Sequence, residues 1–172
     1  LDIPFDNITK KEAPELAFSR ISAKKKTVVV TPNAEIAQMC AEDENIKKVV
    51  CSADMILPDG EGVVLASKKL GTPLFEKVAG VEFGMDCVSL AAERGYSLFL
   101  LGGKEGVAEK AASELCSHFP ALRIAGVRNG YFDRDSKENE HVLNQINKGG
   151  ADILFVCLGA PTQEKWAAEN RD

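Results

Sequence analysis

A carboxylate in a tight turn is the group with the clearest chemical potential in this sequence. Asp59 lies between Pro58 and Gly60, directly after the apolar run 55–57. A carboxylate held in such a turn can take a proton from an attacking hydroxyl group and so act as a general base. Turns and helix starts also favour aspartate for structural reasons alone. The local sequence leaves both interpretations open.

Two further polar turns follow apolar runs in the same way. Thr31 and Asn33 flank Pro32 at the end of the β-branched run 27–31. Their side chains can hydrogen-bond to hydroxyl or acetamido groups, or they can simply cap the following helix. Gln163 follows the last apolar run, and we expect its side chain to point toward the same crevice as the turn aspartate.

Glycine-rich turns offer a second kind of chemistry. Gly102, Gly103 and Gly106 lie between a buried apolar run and an amphipathic stretch, where backbone amides at a helix start can face a diphosphate. Gly130 and Tyr131 combine a turn with an aromatic surface on which a nucleobase can stack. A plain strand-to-helix turn and an ordinary turn with half-buried aromatics are the structural alternatives.

Charged groups near these turns are few. Residues 133–135 spell D-x-D, which can bind a divalent ion on a nucleotide diphosphate, but a match this short just before a helix favours turn and capping chemistry. We therefore assign no metal. Lys104 and Arg128 are cations near the glycine-rich turns.

Apolar patterning predicts the elements that position these turns. Strands are expected at 27–31, 55–57, 96–101, 122–127 and 152–158. Helices are expected at 9–20, around 36–40, and at 61–70, 81–94, 107–118 and 135–148, with another starting near 162. This alternation predicts an α/β fold, a three-layer Rossmann-like sandwich with a mostly parallel sheet. Ligands in such folds bind beyond the carboxyl ends of the strands, where the polar turns are expected.

Composition excludes several classes of protein. A chain of 172 residues fits a single domain, and its net charge of −5 argues against a nucleic-acid partner. The five cysteines are odd in number and form no C-x-x-C pair, which is typical of reduced thiols in a cytoplasmic protein. We find no apolar run near the roughly 20 residues that span a bilayer.

Five motifs occur in an order that resembles the WecG/TagA/CpsF family of glycosyltransferases. The resemblance covers nearly the whole chain, and five ordered motifs are far more specific than one glycine loop. The motifs are T-P-N-A-E (31–35), L-P-D-G-E-G-V-V (57–64), L-L-G-G (100–103), N-G-Y-F (129–132) and G-A-P-T-Q-E-K-W (159–166).

The resemblance implies an inverting, metal-independent transferase with no cofactor. It implies transfer of N-acetylmannosamine from a UDP donor to the C4 hydroxyl of N-acetylglucosamine on undecaprenyl diphosphate, with a β-1,4 linkage, as in wall teichoic acid synthesis. Asp59 would be the catalytic base, and Thr31, Asn33 and Gln163 would contact the sugars. The nucleotide side would comprise Gly102, Gly103, Gly130 and Tyr131.

The same resemblance implies a basic, partly apolar C-terminal segment beyond the 172 residues, and we expect it to supply an arginine and bind the inner face of the cell membrane. Lys77 stands where many relatives are expected to have arginine, so a bidentate phosphate contact there is not expected. An apolar surface around Leu70, Leu74 and Phe75 suggests a homo-oligomer.

Three other functions remain compatible with the residues. A transferase of the same fold could use another UDP-sugar, such as N-acetylmannosaminuronate, for capsule or common-antigen glycans. A non-catalytic nucleotide-binding module would use the polar turns only as caps. A dinucleotide oxidoreductase is disfavoured because the glycine fingerprint is incomplete and lacks an acidic ribose partner.

Overall fold

A computed structural model describes residues 2–171, within which the chain forms eight helices and five strands. The helices are α1 (Glu12–Ser22), α2 (Ala34–Glu42), α3 (Glu44–Cys51), α4 (Glu61–Lys69), α5 (Gly80–Arg94), α6 (Val107–His118), α7 (Lys137–Gly149) and α8 (Thr162–Glu169). The strands are β1 (Val29–Val30), β2 (Met55–Ile56), β3 (Ser97–Gly102), β4 (Arg123–Arg128) and β5 (Ile153–Cys157). None of the helices in this part of the chain is long and apolar enough to cross a membrane.

Local capping chemistry explains where several helices begin. Thr9 donates from its backbone N–H and its Oγ1 to Glu12 Oε2, at 2.9 and 2.8 Å, and Glu12 N–H donates back to Thr9 Oγ1. These hydrogen bonds hold the pKa of the Glu12 carboxyl below its usual range. Thr9 and Glu12 thus form a capping box, although the helix itself starts at Glu12 and not at residue 9 as predicted.

Helix α3 was not predicted from the sequence. It is separated from α2 by Asp43 alone, whose extended backbone interrupts the helical geometry. The Asp43 side chain then caps α3 by accepting hydrogen bonds from the N–H groups of Asn45 and Ile46. Because the break is a single residue, the apolar periodicity is almost continuous from α2 to α3, and the sequence does not reveal the boundary between the two helices.

The chain divides into two compact units, the first comprising residues up to 86 together with those from 160 onward. In this unit β1 and β2 pair in parallel, with Val29 opposite Met55 and Val30 opposite Ile56. Asp54 extends the pairing, because its Oδ2 accepts the Val28 N–H at 2.8 Å. Helix α3 packs against α2 and α8. The core around β1 and β2 contains Ile3, Val30, Ile36, Ala37, Cys40, Ile46, Val50 and Ile56.

The second unit, residues 87–159, contains a three-stranded parallel sheet in the order β4-β3-β5. All six residues of β3 are buried, as expected for the central strand of a covered parallel sheet. Helix α6 packs against β3 and β4, and α7 packs against β4. The chain order β3-α6-β4-α7-β5 therefore consists of successive strand-helix-strand units with parallel pairing.

The α/β class and the parallel pairing predicted from the sequence are confirmed. The strands at 27–31 and 55–57 were predicted too long, since each retains only two ladder residues. The apolar surface at 70–75 was partly mispredicted. Leu70 and Phe75 are exposed, but Leu74 is buried and its N–H donates to Ser67 Oγ at 3.1 Å.

Candidate active site

The carboxyl ends of β1 and β2 bring the first two polar turns together. Leu57 N–H donates to the Val30 carbonyl at 2.9 Å, and Asp59 N–H donates to the Pro32 carbonyl at 3.2 Å. The parallel pairing thus continues past the strands into the turns. As a result, the turn that contains Thr31 lies directly beside the turn that contains the candidate base.

Helix α5 holds the candidate base from its N-terminal end. Val78 N–H donates to the Pro58 carbonyl at 2.8 Å, and Gly80 N–H donates to Asp59 Oδ2 at 3.2 Å. The first N–H groups of a helix have no partner within the helix, and this end of the helix dipole favours negative charge. The carboxylate is therefore fixed through one oxygen, while Asp59 Oδ1 accepts no hydrogen bond from the part of the chain that the structure describes.

The space around Gly80 explains why this position has no side chain. A Cβ on Gly80 would lie 2.5 Å from Thr31 Oγ1 and 3.4 Å from Asp59 Oδ2. The Thr31 hydroxyl, the Asp59 carboxylate and the backbone at Gly80 therefore share one small half-buried cluster. The sequence places Thr31 and Asp59 in turns that follow successive strands. It gives no sign of Gly80, because Gly80 lies 21 residues from its partner Asp59 along the chain.

Asn33 has the capping function that its position predicted. Its Oδ1 accepts the N–H groups of Glu35 and Ile36, both at 3.0 Å, and so starts α2. The carbonyl oxygen of the side chain is thereby committed to the helix. Its amide nitrogen is the remaining polar group for the predicted sugar contact.

Gln163 lies in the first turn of α8 beside a buried carboxyl group. Its Nε2 donates to Glu164 Oε1 at 3.0 Å, and Glu164 is only 5% exposed. Glu164 Oε2 is buried and has no hydrogen-bond partner among residues 2–171. Trp166, on the same helix, is buried. The expected proximity of Gln163 to Asp59 stays a prediction.

The second unit contains a cavity of about 420 Å³, within the size range of small-molecule sites. It lies where β3, β4 and β5 end, as expected for ligand sites in parallel sheets. Three of the four residues predicted for the nucleotide side are in its wall. The lining residues are Gly103, Gly130, Tyr131, Phe132, Arg134, Cys157 and Leu158.

Close backbone packing behind this cavity accounts for its glycines. A Cβ on Gly102 would collide with the Cys157 carbonyl, and its φ of +147° is a conformation that other residues rarely adopt. A Cβ on Gly130 would lie 2.8 Å from Leu158 Cδ2 and 3.2 Å from the Cα of Gly102. The N–H of Gly130 donates to the Gly103 carbonyl at 2.9 Å. Gly102 therefore supports the wall from behind.

Arg134 is the cation of this cavity, and sequence analysis missed it. Its Nη2 donates to the Gly130 carbonyl at 3.2 Å, and its guanidinium carbon lies 5.2 Å from the centre of the Phe132 ring. The two cations suggested by the sequence, Lys104 and Arg128, are not among the lining residues. The D-x-D pattern suggested a function for the two aspartates but none for the arginine between them, so Arg134 was not predicted.

Asp133 of the D-x-D pattern has a structural function. Asp133 Oδ1 accepts the Asp135 N–H at 3.0 Å, and Asp133 N–H donates to Glu138 Oε2 at 2.8 Å. Ser136 then caps α7. These contacts confirm the turn and capping interpretation. Across residues 2–171 no group of three or more His, Cys, Asp or Glu side chains could hold a metal ion.

Lys77 pairs with the first residue of α4. Its Nζ lies 3.5 Å from Glu61 Oε1, and both side chains remain substantially exposed. An exposed pair of this kind contributes little to stability. The lysine thus has a carboxylate partner in the first unit.

The comparison with protein families identifies the class of protein. The model of the "Glycosyl transferase WecG/TagA/CpsF family" matches residues 1–172, so the chain belongs to this family. The resemblance inferred from the five motifs is confirmed.

Two similar proteins carry the same name, N-acetylglucosaminyldiphosphoundecaprenol N-acetyl-beta-D-mannosaminyltransferase. The Bacillus subtilis (strain 168) protein is 34% identical over 146 residues, which are 85% of this chain and 56% of that protein. The Staphylococcus aureus (strain NCTC 8325 / PS 47) protein is 32% identical over 168 residues, which are 96% of this chain and 65% of that protein. The chain thus spans between half and two thirds of the length of these relatives.

Proposed function

We propose that this chain catalyses transfer of N-acetylmannosamine from a UDP donor to N-acetylglucosamine on undecaprenyl diphosphate. The names of the relatives support the acceptor and the transferred sugar. The observation that carries the proposal is the Asp59 carboxylate, fixed at one oxygen by Gly80 N–H beside the Thr31 hydroxyl. Such a carboxylate suits proton abstraction because it is oriented without being neutralised by a cation.

The proposed reaction is a single inverting displacement. Asp59 takes the proton from the acceptor C4 hydroxyl as that oxygen attacks the anomeric carbon of the donor. The bond from the anomeric carbon to the UDP oxygen breaks, and the pair of electrons leaves with UDP. The product has a β-1,4 linkage. Asp59 is then protonated and returns the proton to solvent before the next cycle. Thr31, Asn33 and Gln163 contact the sugars through their hydroxyl and amide groups.

The cavity of the second unit supports UDP binding. Tyr131 is 70% exposed beside it and offers a ring face to the uracil base. Gly103 and Gly130 line the cavity, so a diphosphate bound there would lie against their backbone. No metal or other cofactor is required by the proposed reaction.

Several wider features belong to the same proposal. The chain acts as one catalytic domain, with the three-layer Rossmann-like sandwich as its architecture. It acts at the inner face of the cell membrane, to which it binds peripherally. Exposed Leu70 and Phe75 are available to contact a second copy.

The proposal is tested by measuring UDP release with a synthetic N-acetylglucosamine-diphosphate lipid. We expect release with UDP-N-acetylmannosamine and much less with UDP-N-acetylglucosamine or UDP-N-acetylmannosaminuronate. Transfer from the uronate donor alone would keep the fold and the nucleotide but assign a different sugar. Binding of UDP without release from any donor would indicate a nucleotide-binding module.

Gly80→Ala is expected to lower the transfer rate by about 100-fold, because its Cβ would displace the Thr31 hydroxyl and crowd Asp59. Affinity for UDP should be unchanged. Gly84→Ala is the matched control, since it lies in the same helix and its Cβ would meet no atom within 4 Å. Steady-state kinetics and UDP titration measure both effects. Equal rates for the two variants would show that the Gly80 cluster is not the site of transfer.

Tyr131→Ala is expected to weaken UDP binding by about 10-fold, because stacking of a base on an aromatic ring contributes about 1–3 kcal/mol. Tyr131→Phe keeps the ring and should bind like the wild type. Calorimetric titration with UDP measures both variants. If the alanine variant binds UDP normally, the uracil does not lie on this ring.

A further inference from the structure

We propose that Arg134 binds the diphosphate of UDP and stabilises its negative charge as UDP departs. This inference rests on the proposed function and adds a cation on the nucleotide side of the site. A departing nucleoside diphosphate gains charge, and preorganised donors near that charge lower the barrier. Arginine suits this role because its planar guanidinium matches two phosphate oxygens and stays protonated.

The structure holds the Arg134 side chain in one place. One nitrogen, Nη2, donates to the Gly130 carbonyl, and the guanidinium carbon lies over the Phe132 ring, 5.2 Å from its centre. Phe132 itself is buried, so it provides a rigid platform. A guanidinium held from two sides is preorganised, and less conformational freedom is lost when an anion binds.

The same group has unused capacity to donate. Arg134 Nε is buried and has no hydrogen-bond partner within residues 2–171, and the side chain makes no ion pair with the described residues. A buried donor without an acceptor is unfavourable. Arg134 lines the cavity, and an anionic oxygen bound there would neutralise its charge.

Two backbone N–H groups and one thiol of the cavity wall are poorly suited to bind an anion. The N–H of Gly130 donates to the Gly103 carbonyl, and the N–H of Tyr131 donates to Asn129 Oδ1 at 3.0 Å. These two backbone donors are therefore committed. Desolvation raises the pKa of the Cys157 thiol, so this wall residue is uncharged near neutral pH. No carboxylate is among the lining residues of the cavity, which leaves Arg134 as the charge that an anion meets there.

The test compares UDP with uridine as calorimetric probes on the wild type, Arg134→Gln and Arg134→Lys. We expect Arg134→Gln to weaken UDP binding by about 10- to 100-fold and to leave uridine binding unchanged, because uridine has no diphosphate. Arg134→Lys keeps the positive charge but loses the two-pronged guanidinium, so its UDP affinity should fall between those of the wild type and Arg134→Gln. Arg123→Gln is the matched control, because Arg123 lies at the start of β4, outside the cavity wall, and donates to the Gly95 carbonyl.

Each outcome separates this inference from the proposed function. Equal losses for UDP and uridine would show that Arg134 merely supports Gly130 and Tyr131, and would overturn the inference. Wild-type UDP affinity in Arg134→Gln and Arg134→Lys would also overturn it while leaving the proposed function intact. A wild type that binds no UDP would overturn the proposed function and this inference together. Should Arg134→Gln fail to fold, the ratio of UDP to uridine affinity in Arg134→Lys decides.

Discussion

Asp59→Asn is expected to reduce the transfer rate by about 10²- to 10⁴-fold, the usual contribution of a positioned general base. Asparagine has nearly the same shape as aspartate, and its Oδ1 can still accept the Gly80 N–H that fixes the side chain. It cannot take the proton of the acceptor hydroxyl. The loss should therefore appear in the rate, while UDP affinity stays at the wild-type value.

The measurement is UDP release from the mannosamine donor, together with UDP titration of the same samples. Glu35→Gln is the control, because it removes another carboxylate near the same turns, and Glu35 is exposed in the first turn of α2. It should turn over like the wild type. Unchanged turnover in Asp59→Asn would remove this residue from the role of base.

Gly102→Ala is expected to lower the free energy of unfolding by about 2–5 kcal/mol. Two costs combine, since a φ of +147° strains any residue with a side chain, and the new Cβ would overlap the Cys157 carbonyl in the neighbouring strand. Gly102 pairs with Cys157 at the ends of β3 and β5. The strands must separate there to admit a methyl group, so UDP binding should weaken as well.

Urea denaturation followed by circular dichroism measures this loss. Gly106→Ala is the matched control, because its φ of +80° is also positive but a Cβ there would meet no atom within 4 Å. Gly106→Ala should lower the free energy of unfolding only by the backbone strain, about 1–2 kcal/mol. Equal stability of the two variants would mean that β3 and β5 do not approach each other as closely as the structure indicates.

Features governed by neighbours in the chain were predictable from the sequence. Asn33 was expected to cap a helix, and its side chain caps α2. The strand predicted at 96–101 was expected to be buried because its apolar run is continuous, and β3 is buried throughout. Helix α6 was predicted with the correct bounds because Gly106 and the end of the apolar pattern mark its limits. In each case the deciding contacts lie within a few residues.

Features that depend on distant partners were not predictable in this way. Leu74 is buried and its N–H donates to Ser67 Oγ on the preceding helix, whereas the local sequence predicted an apolar surface there. The length of strand β1 was overestimated, because the ladder between β1 and β2 contains only two residue pairs. Single-sequence patterns carry no information on the length of the partner.

The sequence by itself determined the family, the α/β class and the identity of the candidate base, because ordered motifs and apolar periodicity are properties of the chain alone. Only the tertiary structure decided how these residues are held. It placed Gly80 against Asp59 and Thr31, and Arg134 against Gly130 in a cavity wall. The physical reason is that donors, acceptors and close backbone contacts at the ends of parallel strands come from segments far apart in the chain, and their matching is fixed only when the strands pair.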